Sequence, residues 1–181
     1  LDRAALIAEI EAAFAGSTRD PEQSLHQSQL TDQSMSRRIH GGEWREAGRR
    51  DPELDWREVP GDALDECDAA LAHFTPESWR FYLPAYLSRS LAQFSAPRHE
   101  TTMLHMVLFH LTCDKKYDLG MRSYVLARYQ LLTPAQHQAV RHFLELVMQE
   151  SLHLVETTND YYQTYADAQT ALESYWQGDG L

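Results

Sequence analysis

Apolar residues recur along this chain at intervals of three and four, the spacing of one helix face. No run alternates long enough, or with enough β-branched residues, to read as a half-buried strand. Leu6, Ile10 and Phe14 fall four apart, with Gly16 as the stop of a first helix. Leu64, Cys67, Leu71 and Phe74 predict a helix over 62–73. Trp79, Tyr82, Leu83, Tyr86, Leu87 and Leu91 line the face of the next. Met103 to Leu111 is apolar apart from His105 and His110, which predicts a central, buried helix. Met121, Val125 and Tyr129 mark another over 118–130, and Val140, Phe143, Leu144, Val147 and Met148 mark the strongest of all. A last helix carries Tyr161, Tyr165, Ala168, Leu172 and Tyr175 or Trp176, a near-heptad spacing suited to packing on a neighbour. The expected fold is all-α: one compact helical domain over 1–181, with about six to eight helices.

Punctuation between these runs sharpens the boundaries. Thr75-Pro76 and Thr133-Pro134 each pair a capping hydroxyl with a ring suited to a first helical turn. Thr133 to Gln136 adds a capping box, Thr-x-x-Gln. Thr157 to Asp160 reads as a turn or cap, and Gly178 to Gly180 as a frayed end. Pro84 falls inside its helical run, where a proline forfeits a hydrogen bond and costs roughly 3 kcal/mol. A break or kink between Phe81 and Pro84 is therefore expected. Residues 17–60 are dominated by Ser, Gln, Asp and Arg and interrupted by Gly41-Gly42. This stretch reads as a long irregular segment with one or two short helices, near 31–38 and 51–57.

Composition changes the picture in one respect, charge. The net charge of −11 over 181 residues argues against nucleic acid or an anionic membrane as partner, and favours a basic one. After Arg141 there is no Lys or Arg, whereas Glu145, Glu150, Glu156, Asp160, Asp167, Glu173 and Asp179 all follow. Tyr161, Tyr162, Tyr165, Tyr175 and Trp176 are interleaved with those acids, a composition shared by many docking surfaces. No apolar stretch approaches the ~20 residues of a bilayer span. The opening residues meet acids too soon to form a secretory signal. Cys67 and Cys113 sit on apolar helical stretches and read as reduced core thiols, so the expected location is cytoplasmic.

Candidate chemistry is sparse. His105 and His110 are five apart, as are His137 and His142, and that spacing rotates the second residue about 140° from the first. His142 and His153 share a face, but lie roughly 16 Å apart along a helix axis. Glu150-Ser151-Leu152-His153 matches half of a di-iron motif, and the chain holds no second copy. No Gly-x-Ser-x-Gly elbow or phosphate-cradling loop is present. Neither a metal nor a cofactor is expected, and no catalytic residue is assigned.

The block Pro76 to Leu87, with its Leu83-Pro84-Ala85-Tyr86-Leu87 core, and the later block Leu132 to Leu144 together resemble a bacterial family carrying a domain of unknown function. The segments Trp44-Arg45-Glu46 and Trp56-Arg57-Glu58-Val59-Pro60 resemble its upstream region. The likeness spans 35–145 and leaves the acidic C-terminal helix outside; the resemblance implies no reaction, ligand or catalytic residue. By analogy alone, a small acidic chain of this kind is similar to the immunity proteins that neutralise bacterial toxins.

The leading expectation is a non-enzymatic binding protein, an immunity protein that occludes the active site of a basic toxin, acting as monomer or homodimer. Its partner-binding residues would be Asp160, Tyr161, Tyr162, Tyr165, Asp167, Glu173, Tyr175 and Trp176, with Trp44 and the loop at Gly41 as a second patch. The alternative is a small-molecule binder or enzyme with a pocket around Trp79, Tyr82, Tyr86, His105 and His110.

Overall fold

The computed structural model describes residues 2–94, 102–158 and 162–178. Among these the fold is all-α, with nine α-helices and no strand, one helix more than the upper expectation. They enclose one hydrophobic core that runs from Leu6 to Trp176. No helix among the described residues is long and apolar enough to cross a membrane.

Helix α1, Arg3–Ala13, opens where Asp2 accepts a hydrogen bond from the Ala5 amide at 2.8 Å, and Gly16 turns the chain with φ of 72°. That positive φ lies where a side chain would meet the backbone, so glycine is the natural stop. The stretch 17–60 does hold two short helices, but at other places than the composition suggested. They are α2, Leu25–Gln33, and α3, Gly41–Arg49, followed by a 3-10 turn, Trp56–Glu58. Gly41-Gly42 does not interrupt a helix; it opens α3, where Glu43 reaches back to accept from the His40 amide at 3.0 Å. The remaining loop is tied down by polar side chains. Arg19 donates to the carbonyl of Asp51 at 3.0 Å, and Gln23 donates to that of His73 at 2.8 Å.

The helix expected over 62–73 is two pieces. Helix α4, Gly61–Glu66, stops at Cys67, whose φ of −110° and ψ of 41° leave the helical region, and a 3-10 turn, Asp68–Ala72, follows. Helix α5, Pro76–Gln93, starts at Thr75, whose hydroxyl accepts from the Ser78 amide. It lies at the centre of the fold, with Trp79, Phe81, Tyr82, Leu83, Tyr86 and Leu87 all almost wholly enclosed. A helix buried on every side needs no amphipathic stripe. The expected break at Pro84 is absent: α5 runs through it without interruption. Packing around the buried Leu83-Pro84-Ala85-Tyr86 segment offsets the hydrogen bond that proline cannot donate, since each enclosed large side chain contributes about 1.5–3 kcal/mol.

Helix α6, Thr102–His110, buries Met103, Leu104, Val107 and Leu108 but turns Phe109 outward, so it is central on one face only. Helix α7, Leu119–Tyr129, is capped by Asp118, and α8, Pro134–Thr158, by the Thr133–Gln136 box, whose reciprocal bonds measure 3.0 and 3.3 Å. Helix α8 continues through Thr157 and Thr158; the rest of the turn expected there lies outside the described residues. Helix α1 is clamped to α8 by Arg3 with Glu150 at 2.9 Å and Glu9 with His142 at 2.8 Å. Helix α9, Tyr162–Ala171, packs on α8 and α6, then widens into a π-helical turn, Leu172–Trp176.

Candidate functional site

The sequence pointed first to the C-terminal aromatics, and the structure divides them. Asp160 and Tyr161 lie outside the described residues, as does the side chain of Tyr162. Trp176 is core rather than an exposed anchor: it is 2% exposed, donates its indole N–H to the Leu111 carbonyl at 2.7 Å and packs its ring at a tilt against Tyr129, 4.6 Å between centroids. Tyr175 is half-buried, with its ring 4.9 Å from that of Tyr129. Tyr165 and Asp167 are half-buried and Glu173 is exposed. Asp167 has His105 Nδ1 at 3.5 Å, and Glu173 accepts from Gln169 at 2.8 Å. Trp44 is half-buried on α3, where its carbonyl accepts from Gln27 at 3.0 Å.

The pocket expected around Trp79, Tyr82 and Tyr86 does not form, because all three are at most 1% exposed. Their polar atoms serve the fold: the Tyr82 hydroxyl accepts from the Leu25 amide at 3.1 Å, and Tyr86 donates to the Cys67 carbonyl. His105 faces α9 instead, and only His110 of that set borders a cavity.

That cavity, about 170 Å³, opens between the end of α6 and α7. Phe109, His110, Met121, Tyr124 and Val125 line it, and Arg128 closes it. The large apolar side chains around it face solvent: Phe109 is 60% exposed, Met121 49% and Tyr124 42%. Three such residues around one opening form the kind of patch that a monomer in water rarely leaves open. Arg128, by contrast, is 3% exposed. One terminal nitrogen of its guanidinium donates to the carbonyls of Ala72 at 3.0 Å and Phe74 at 2.7 Å, and to the Tyr124 hydroxyl. Its guanidinium carbon sits 4.1 Å over the Tyr124 ring. No carboxylate among the described residues pairs with it, and its Nε is buried without a partner. Burial pulls its pKa down from the ordinary arginine value. His110 beside it also has a buried, unpartnered Nε2, and burial, helped by the Arg128 charge, pushes its pKa down to about 4. The ring is therefore neutral at pH 7.

A second polar constellation lies between α2 and α3. Asp51, 3% exposed, accepts from the His26 amide at 2.8 Å and faces His26 Nδ1 at 2.5 Å. His26 Nε2, enclosed and without a hydrogen-bond partner, stands 3.8 Å from Glu66 on a groove also lined by Glu46 and Arg50. A carboxylate on Nδ1 fixes the ring so that Nε2 can accept or donate a proton. Among the described residues, no group of three or more His, Cys, Asp or Glu is placed to hold a metal ion.

A family model described as a family of unknown function, DUF6714, matches residues 2–179. The chain belongs to that family. The DUF6714 match takes in α9, so the C-terminal helix is part of the family and does not lie outside it, as the motif blocks alone suggested. Neither the curated proteins nor the solved structures provide a match.

Two features of this DUF6714 chain escaped the sequence reading. The α7 face of Met121, Tyr124, Val125 and Arg128 was masked by Tyr129, which sits in the same run but points to the core. The signal was an apolar stripe at three- and four-residue spacing that ends in a cation. The His26–Asp51 pair spans 25 residues and has no local signature.

Proposed function

We propose that the chain is a non-enzymatic protein-binding protein that engages its partner through the α6–α7 face. The observation that carries this reading is the convergence of Phe109, Met121 and Tyr124, all exposed, around one small cavity. Aromatic and methionine side chains at such a surface supply large contact area at low ordering cost. A toxin-neutralising immunity role, in which this face covers a partner's active site, is the finer form of the reading; small size and net charge of −11 support it. Aromatic anchoring from the C-terminal helix is not part of the proposal, because Trp176 is committed to the core. Tyr165, Asp167 and Glu173, on α9 and the turn after it, do not line the cavity and are given no contact in it. A small amphipathic acid held in the same cavity is the second reading, favoured by Arg128 and His110.

The test is site-specific photo-crosslinking in the native host. A photoreactive residue at position 121 or 109 should capture one discrete partner, while the same residue at exposed Arg57 or Glu58 should not. Equal capture from both surfaces, or none from position 121, would remove the α6–α7 face from the interface.

A further inference from the structure

We infer that the α6–α7 cavity takes one apolar side chain from a partner segment that carries carboxylates on either side of it. This rests on the reading of that face as a protein-docking surface, and it names what the face selects.

Size limits the occupant first. At about 170 Å³ the cavity is well below the roughly 300–1,000 Å³ of pockets that enclose whole small molecules. It matches a single leucine, methionine or phenylalanine side chain presented by a larger body. The rim that such a body would meet is already apolar, through Phe109, Met121 and Tyr124.

Charge decides what flanks that side chain. The chain as a whole is strongly acidic, yet Lys115 and Lys116, its only lysines, sit in the loop leading to α7, and Arg122 and Arg128 follow on that helix. Only Asp114 and Asp118 oppose these four cations between 114 and 128, and both are engaged by backbone amides, of Lys116 and Met121, at 2.8 Å each. Arg128 is the deepest of the four and has no carboxylate partner among the described residues. A buried charge without a counter-ion is costly, and an incoming carboxylate at the mouth relieves that cost, while Lys115 and Lys116, in the loop whose Thr112 and Tyr117 line the cavity, add positive charge nearby. A basic segment would meet like charge. The unpartnered Nε2 of His110 gives the seated segment one further polar contact. The segment 114–128 is thus net positive where the molecule is negative, and the partner segment it favours is acidic around a hydrophobic anchor.

The probes are three capped five-residue peptides, titrated against the full chain by amide NMR shifts. One has phenylalanine between aspartate and glutamate pairs, one has the same phenylalanine between asparagine and glutamine pairs, and one has alanine between the acidic pairs. The acidic phenylalanine peptide should shift residues 109–128 and bind at least ~10-fold tighter than its amide counterpart at low salt. That advantage should fall below about threefold at 0.5 M salt, where charges are screened within roughly 4–5 Å. The alanine peptide should not bind. Arg128 also holds the carbonyls of Ala72 and Phe74, so Arg128→Met is unsafe as the sole variant. Lys115→Glu with Lys116→Glu, both exposed, should weaken the acidic peptide at least ~5-fold and leave the amide peptide unchanged. Met121→Asp should abolish binding of the phenylalanine peptides with the fold intact.

Equal binding of acidic and amide peptides, tighter binding of an arginine-flanked version, or shifts centred elsewhere would overturn the inference. Free phenylacetate binding as tightly as the peptide would assign the cavity to a small molecule instead. A partner crosslinked from position 121 together with inert peptides would sink the acidic motif and spare the docking face; no crosslink would sink both.

Discussion

Tyr86, fully enclosed in α5, donates its hydroxyl hydrogen to the carbonyl of Cys67, the residue at which α4 gives way to the 3-10 turn. The bond ties the central helix to the one place where the neighbouring backbone leaves helical geometry. Tyr86→Phe keeps the ring and removes the donor, so its cost is that of one buried hydrogen bond, about 1–2 kcal/mol. Urea denaturation should show an earlier midpoint at an unchanged slope. An unchanged midpoint would mean that the Cys67 carbonyl is content with its bond from the Ala70 amide alone.

Trp176 offers the clearest contrast between an anchor and a core residue. With its indole enclosed and bonded to Leu111, Trp176→Ala should destabilise the free protein by about 3–5 kcal/mol. Thermal melting of the isolated chain is the measurement. Normal melting with lost partner binding would return this residue to the interface.

Gly48 lies on α3 where it faces α2. A Cβ there would stand 2.8 Å from Gln27 Nε2, and that amide is held by Ser24 on one side and Trp44 on the other. In an exposed helix, glycine to alanine stabilises by roughly 1 kcal/mol. Here Gly48→Ala should instead destabilise by about 1 kcal/mol, because Gln27 can move only by giving up its bonds. A raised melting temperature would refute the close approach.

His110 predicts the direction of one pH effect. Its pKa is depressed from 6.5 to about 4 by burial, with Arg128 and His73 adding repulsion. Between those values the unfolded chain takes up a proton that the folded chain refuses. Stability is therefore intact above pH 6.5 and falls as pH drops toward 4, by roughly 3 kcal/mol at most. His110→Gln should flatten that slope in denaturation experiments between pH 4 and 7. A slope unchanged by the substitution would locate the titration elsewhere.

What was legible in the chain was local. Thr75 and Thr133 cap helices through bonds that close within three residues, and both caps form as the dipeptides suggested. The apolar periods of α1 and α8 likewise carry their own burial pattern. The break expected at Pro84 did not occur because the penalty is local whereas the packing that offsets it comes from the whole core. Gly41-Gly42 misled because two glycines also suit a helix start when Glu43 returns to the His40 amide. For the site, aromatic–acidic alternation could not say which side of the last turn meets α6 and α7, and Trp176 proved to be on the inner side. The cation at the foot of the α7 stripe had meaning only once Ala72 and Phe74, more than fifty residues away, were seen to supply its acceptors.

The placement of Lys115 and Lys116 also governs how this protein can be handled. Every other cationic side chain is an arginine, so side-chain amine chemistry reaches this sequence in a single spot, the loop that borders the cavity. Attaching the protein to a sensor surface through its lysines would turn the candidate face toward the support and hide it. Coupling through carboxylates, nearly all of which lie outside that loop, would mostly present it. Two immobilisations of the same sample would then disagree about whether a partner binds, and the disagreement would itself report which side of the molecule does the binding.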